Sequence, residues 1–257
     1  MTGSARGRTG ASGYREPVPL VAAAVCPHPP LIVPELAGAA AAAELDDLRA
    51  ACDEAVTGLL AAAPDVVLLV GDGPRTTTFD AADIGSLRAY GLDRRVPLWR
   101  TNCAGGERLP LSLTVGAWLI GRSGTPLPRL ARSVATDASP ADCAELGAAL
   151  AGEPDRRVAL LVLGDGSACR GRQAPGYDDP RAEAYDDGVA RALADADADA
   201  LLGLDPVLSA QLRVAGRAPW QMLAGAVRAA GGDWRGALRH YSAPYGVAYV
   251  VASWEPA

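Results

Sequence analysis

Histidine is scarce in this chain of 257 residues, which holds only His28 and His240, and a Cys-x-x-Cys pair is absent. The five cysteines, Cys26, Cys52, Cys103, Cys143 and Cys169, are odd in number and scattered. That pattern excludes a disulfide scaffold or a zinc site built on them, and it fits reduced thiols in a cytosolic protein. No apolar run approaches the roughly 20 residues a membrane span requires. Residues Met1 to Glu16 are rich in Gly, Ser, Thr and Arg with no hydrophobic region of a signal peptide behind them, so residues 1–17 read as a disordered extension. A formal charge of −6 without a Lys/Arg-rich run in the body argues against a general nucleic-acid surface, although it leaves room for a local basic groove. Internal repeats of about 20 to 50 residues are lacking, which excludes a solenoid.

An apolar content of 49% is enough for a sizeable core. The expectation is one α/β domain over residues 18–257, with a largely parallel central sheet flanked by helices. Heavy use of Arg, Ala, Gly and Pro reads as coding bias rather than as a functional signal. Leu20 to Val25 is the first expected strand. Val66 to Val70 and Val158 to Leu163 are continuous apolar runs, the pattern of central strands buried on both faces. Helices are expected over Ala39 to Ala63, from near Pro110 to Ile120, over Pro140 to Ala151, Arg181 to Ala194, Pro206 to Val214 and Pro219 to Ala230. Asp205 is the expected N-cap of the helix that Pro206 opens, and Gly231-Gly232 ends the last one. Tyr245 to Val251 alternates as a closing strand.

Three strand ends carry the chemistry. The first strand runs into Cys26-Pro27-His28-Pro29-Pro30-Leu31-Ile32-Val33-Pro34-Glu35, where four prolines in eight residues forbid a helix and hold the imidazole on stiff backbone. Such a His is a metal ligand, an acid/base group, or a ring that caps a turn. Both central strands run into Gly-Asp-Gly, as Gly71-Asp72-Gly73-Pro74 and Gly164-Asp165-Gly166-Ser167. Glycines around an acid allow a sharp turn and close approach of a ligand, and the carboxylate binds a metal, takes a proton or caps the next helix. In open α/β sheets ligands bind at the carboxyl ends of strands, so His28, Asp72 and Asp165 are expected around one cleft. Arg75 and Arg170 follow the same glycine-rich turns, and together with Ser167 they suit a carboxylate or phosphate. Cys169 beside Arg170 is either a nucleophile or a buried thiol.

The order of Pro27-His28-Pro29-Pro30-Leu31-Ile32-Val33-Pro34-Glu35, an acidic glycine turn, Leu-Gly-Asp-Gly-Ser and Tyr241-Ser242-Ala243-Pro244-Tyr245-Gly246-Val247-Ala248-Tyr249 resembles the class III extradiol dioxygenase superfamily. That group includes LigB-type ring-opening dioxygenase subunits and Memo-like proteins, and the resemblance runs from about residue 18 to 254. It implies a LigB-like fold with one cleft, and in active members Fe(II) held by two His and a carboxylate. His28 matches the first of those ligands. Asp72 stands where the resemblance implies the second His, Ala168 where it implies an acid/base His, and Ser242 where it implies the carboxylate. Gly-rich Cys103-Ala104-Gly105-Gly106 replaces an implied Asp-His pair. His240 beside that lost carboxylate is either a rescue ligand or a surface residue, since neighbours on a strand face opposite ways.

Three functions follow from these departures. The first is a diverged member without standard catechol cleavage, whose cleft takes a small anionic or aromatic ligand through Arg75, Arg170, Ser167 and Ser242. The second is an active non-haem dioxygenase, an oxidoreductase using His28 and Asp72, with Fe(II) or Zn as its cofactor. The third is an interaction scaffold without catalysis. No cofactor is firmly implied, no membrane or general nucleic-acid partner is expected, and self-association is compatible with the sequence.

Overall fold

A computed structural model describes residues 20–99, 106, 108–151 and 156–257. The expected extension over residues 1–17 and Cys103 to Gly105 lie outside the described residues.

The chain begins with β1 (Leu20–Cys26), followed by a 3-10 turn at Pro30–Ile32, α1 (Pro34–Glu44) and α2 (Asp46–Ala61). It continues through β2 (Val66–Gly73), β3 (Thr77–Phe79), β4 (Ile84–Ser86), β5 (Arg95–Pro97), α3 (Leu111–Arg122) and β6 (Arg129–Ala135). Then come α4 (Pro140–Ala151), β7 (Val158–Leu163), α5 (Ala182–Ala194), α6 (Ala198–Leu202) and α7 (Pro206–Gln211). The last elements are α8 (Arg217–Ala230), β8 (Trp234–Ser242) and β9 (Tyr249–Pro256). Seven strands form one sheet in the order β3-β6-β2-β7-β1-β9-β8, and β4 and β5 form a small ribbon beside it. The strands β6, β2, β7 and β1 are mutually parallel. Because β9 is antiparallel to β1 and β8 to β9, β8 points the same way as that parallel group.

The continuous apolar runs follow from burial on both faces. Ala24, Cys26, Val67, Leu69, Leu161 and Leu163 pack with Leu48, Val56, Leu59, Leu113 and Ile120 of α2 and α3. Their alternating neighbours Val25, Leu68, Val70, Leu160 and Val162 pack with Leu193 of α5 and with Trp220 and Leu223 of α8. Each such fully buried Leu or Ile stabilises the fold by about 1.5–3 kcal/mol relative to an exposed one. α4 lies on α8 through glycines: a Cβ on Gly147 would overlap the Met222 carbonyl, and one on Gly225 would overlap the Ala144 carbonyl. Helix and sheet thus form α/β layers on both sides of one sheet.

Several boundaries differ from the sequence expectation. The helix expected over Ala39 to Ala63 is two helices, starts at Pro34, and kinks at Gly38, whose φ of 66° lies in the left-handed region. The helix opened by Pro206 ends at Gln211 rather than Val214, and its Asp205 side chain accepts from the Val207 amide at 2.8 Å as expected of an N-cap. The closing strand starts at Tyr249 rather than Tyr245, because Gly246 and Ala248 bond instead to the segment after β7: the Arg170 amide donates to the Gly246 carbonyl, the Gly166 amide to the Ala248 carbonyl, and the Ala248 amide to the Ser167 carbonyl. The edge strand β8 carries a register shift between Leu238 and His240. There Arg235 faces Glu255 at 3.3 Å and Arg239 donates to Ser253 Oγ at 3.0 Å. The opposite edge, β3, is only three residues long.

Candidate functional site

Register brings the three strand ends together. β7 lies between β1 and β2, with Leu163 opposite both Cys26 and Gly71. His28 and Asp165 each lie two residues past that row, and Asp72 one residue past it, all at the carboxyl edge. Their side chains meet: His28 Nε2 is 3.4 Å from Asp72 Oδ1, and His28 Nδ1 is 3.7 Å from Asp165 Oδ1. The His28 amide also donates to Asp165 Oδ1 at 2.7 Å, which fixes the start of the proline turn to the end of β7. His28 is buried, with both carboxylates partly exposed beside it.

The glycines around the two acids serve packing. None of Gly71, Gly73, Gly164 and Gly166 has a positive φ. A Cβ on Gly71 would come within 2.5 Å of Ser112 Oγ, and one on Gly164 within 2.5 Å of Gly216 Cα. Ser112 Oγ meanwhile donates to the Asp72 carbonyl at 2.6 Å, anchoring that turn to the start of α3.

Burial pushes the Asp165 carboxyl above the usual range, opposed by the His28 charge and amide and reinforced by Asp72. Burial also pushes up the Tyr249 phenol, and the Asp165 charge adds to that effect. Tyr249 is therefore a neutral phenol whose nearby acid is Asp165, at the position where β9 begins. His28 Nδ1 is buried without a hydrogen-bond partner. A ring with both nitrogens facing carboxylate oxygens can relay a proton or hold a hydroxyl-bearing ligand.

The remaining sequence candidates do not join this group. Ser167 is fully buried, and its amide and Oγ both donate to Asp186, at 2.8 and 2.6 Å, so it is a core residue rather than a ligand contact. The Arg170 guanidinium bonds the Tyr241 hydroxyl at 2.8 Å and Glu183 at 2.7 Å. Arg75 is exposed and lines a separate recess with Phe79 and Arg108. These two arginines therefore do not form the paired anion clamp expected of them. Cys169 is buried and its thiol is pushed up by that burial, the opposite of an activated nucleophile. His240 and Ser242 stand on one face of β8 and bond each other at 2.7 Å, with burial lowering the His240 pKa.

Sequence reasoning missed two groups. Asp186, on α5, is fully buried and organises the turn after β7 through Ser167, yet an acid inside an acidic helix gives no local sign of that role. Tyr249 lay inside the Tyr-Gly-Val-Ala-Tyr stretch, and its position opening an apolar strand was the available signal.

The donor set does not fit the iron centre that the resemblance implies. Asp72 and Ser242 stand where the resemblance implies a His and a carboxylate, Ser242 is bonded to His240, and Asp165 Oδ1 accepts from the His28 amide. Among the described residues no group of three His, Cys, Asp or Glu side chains has the geometry to hold a metal ion. Among the described residues, too, no helix is long and apolar enough to cross a membrane.

No family model and no curated protein matches the chain. Among solved structures the chain is similar to the crystal structure of uncharacterized protein JW3007 from Escherichia coli K12, with a TM-score of 0.56 at 14% identity over 91% of this chain and 99% of that one. At that identity the likeness shows a shared α/β fold across nearly the whole of both chains.

Proposed function

We propose that this chain is a diverged member of the class III extradiol dioxygenase superfamily whose strand-end cleft binds a small hydroxyl-bearing aromatic ligand without ordinary Fe(II)-dependent ring cleavage. The observation that carries this reading is the His28 ring set between Asp72 and Asp165, with Nδ1 buried and unpartnered. Two carboxylates repel an anion and accept from hydroxyls, so the pair favours a phenol or catechol over a carboxylate or phosphate. Arg170 and Arg75, which would have favoured the anion, are engaged or directed elsewhere. In this reading Asp165 holds the His28 backbone in place, while His28 and Asp72 bind and exchange a proton with the ligand hydroxyl. Ala168 offers no second acid/base group.

The test joins a binding and a turnover measurement. The protein is reconstituted anaerobically with Fe(II), exposed to O₂ with protocatechuate, and followed for absorbance of a ring-opened product; catechol binding is measured separately by calorimetry. The expected outcome is no turnover and catechol binding that weakens at least about 10-fold in His28→Ala, the scale of one lost hydrogen bond to a buried group. Product forming at a His28-dependent rate overturns the loss of ring cleavage, and absence of catechol binding overturns the ligand.

A further inference from the structure

A cavity lies away from the strand ends that carry His28, Asp72 and Asp165, between α3, β5 and the start of β6. It has a volume of about 350 Å³ and is lined by Trp99, Trp118, Arg122 and Arg129, with Arg94 and Arg95 at the same wall. Arg129 opens β6 opposite Val67, near the amino end of β2, whereas His28, Asp72 and Asp165 lie at the carboxyl ends of their strands.

The arginines differ in how their charge is answered. Arg122 makes a two-pronged bond to Asp53, at 2.9 and 2.6 Å, and lies 5.0 Å over the Trp118 ring. Arg94 bonds Glu35 at 2.7 Å. Arg129 is 7% exposed and has no carboxylate partner among the described residues. Its Nη1 donates to the Leu98 carbonyl at 3.4 Å, its Nη2 to the Thr125 carbonyl at 3.2 Å, and its Nε is buried with no partner. Burial lowers its pKa, as expected for a cation without a counter-charge. A buried guanidinium with an unfilled donor is costly unless something anionic completes it.

We infer that this cavity is a binding site for a small aromatic carboxylate, with Arg129 receiving the carboxylate and Trp99 and Trp118 flanking the ring. A guanidinium fork matches a carboxylate in plane, and indole faces suit a flat ring. The volume falls in the range of sites that enclose small molecules. Trp99 is held by its indole N–H to the Pro126 carbonyl at 3.3 Å, so one wall of the cavity is oriented before any ligand arrives. This site takes an anion, whereas the cleft around His28 disfavours one, so the two ligand classes are separate.

Tryptophan fluorescence of the full chain, titrated with benzoate, acetate and benzamide at constant ionic strength, tests charge and ring separately. Benzoate is expected to give a saturable change with affinity at least about 10-fold above acetate and benzamide, since only it offers both the fork partner and the ring. Arg129→Gln is expected to weaken benzoate at least about 30-fold, the lower end for truncating one side of a buried charge pair. His28→Ala is expected to leave benzoate binding unchanged. Equal binding of the three probes, an unaffected Arg129→Gln, or loss in His28→Ala overturns the assignment. Should Arg129→Gln fail to fold, Trp99→Leu takes its place: it must lower the preference of benzoate over acetate, and an unchanged preference overturns the site.

Discussion

Asp165 has two jobs that substitution can separate: it accepts the His28 amide at 2.7 Å and it faces the His28 ring at 3.7 Å. Asp165→Ala leaves a buried N–H without its acceptor, a loss of about 1–3 kcal/mol, and removes a charged acceptor whose bonds contribute about 1.5–3 kcal/mol. Relief of the desolvated carboxylate offsets part of this, so the net expectation is about 2 kcal/mol of destabilisation near neutral pH. Asp165→Asn keeps an oxygen for the amide and removes the buried charge, so its expected cost is below about 1 kcal/mol. The pH dependence has a definite sign. Desolvation places the folded carboxyl above its unfolded value, so in the window between the two the folded state binds more protons. Stability from this group is therefore greatest below the ordinary carboxylate range and is lost as pH rises through the folded value. Asp186, also raised by burial, contributes a slope of the same sign that both variants retain. Urea midpoints measured from about pH 4 to 8 should show a shallower fall for Asp165→Asn than for the unsubstituted chain. An unchanged slope in the Asn variant, or an Ala variant as stable as the parent, refutes the reasoning.

Gly147→Ala should lower the thermal midpoint by the equivalent of about 2–3 kcal/mol, because its Cβ meets the Met222 backbone and α4 must shift off α8. The control is Gly58→Ala on the exposed side of α2, where nothing lies within 4 Å and a small gain of about 0.5–1 kcal/mol is expected; equal midpoints for the two variants contradict the packing argument. Asp186→Ala strips the acceptor from both the amide and the hydroxyl of buried Ser167, and chemical denaturation should register a loss of about 3 kcal/mol. A loss below about 1 kcal/mol would mean that solvent reaches this turn.

Legibility followed burial. β1, β2 and β7 were readable because strands covered on both faces must be apolar throughout, and the acids at their ends could be placed by the rule of strand ends. β6 and β8 were not, since Arg129 and Arg132 break the apolar pattern of the first, and the second, Trp234–Ser242, has exposed and half-buried residues without clean alternation. The helix break near Gly38 was hidden by a run of alanines that suits a helix everywhere. At the site, His28, Asp72 and Asp165 carried signals in their own local sequence. The partners of Ser167, Arg170 and Ser242 did not, because α5 and β8 reach them from 13 or more residues away or through a strand the sequence concealed. The Arg129 cavity draws its walls from α3, β6 and the chain after β5, which no short motif could reveal.

The two ends of the sheet bear on how copies of this chain could meet. An open strand edge is a template onto which another chain can add, and long flat edges drive polymerisation. Here one edge offers three residues, and the other carries a bulge, Arg235 and Arg239, each tied to a partner on β9. An incoming strand would find too few amides on the first side and a twisted, charged rail on the second. Sheet extension is thus a poor route to self-association.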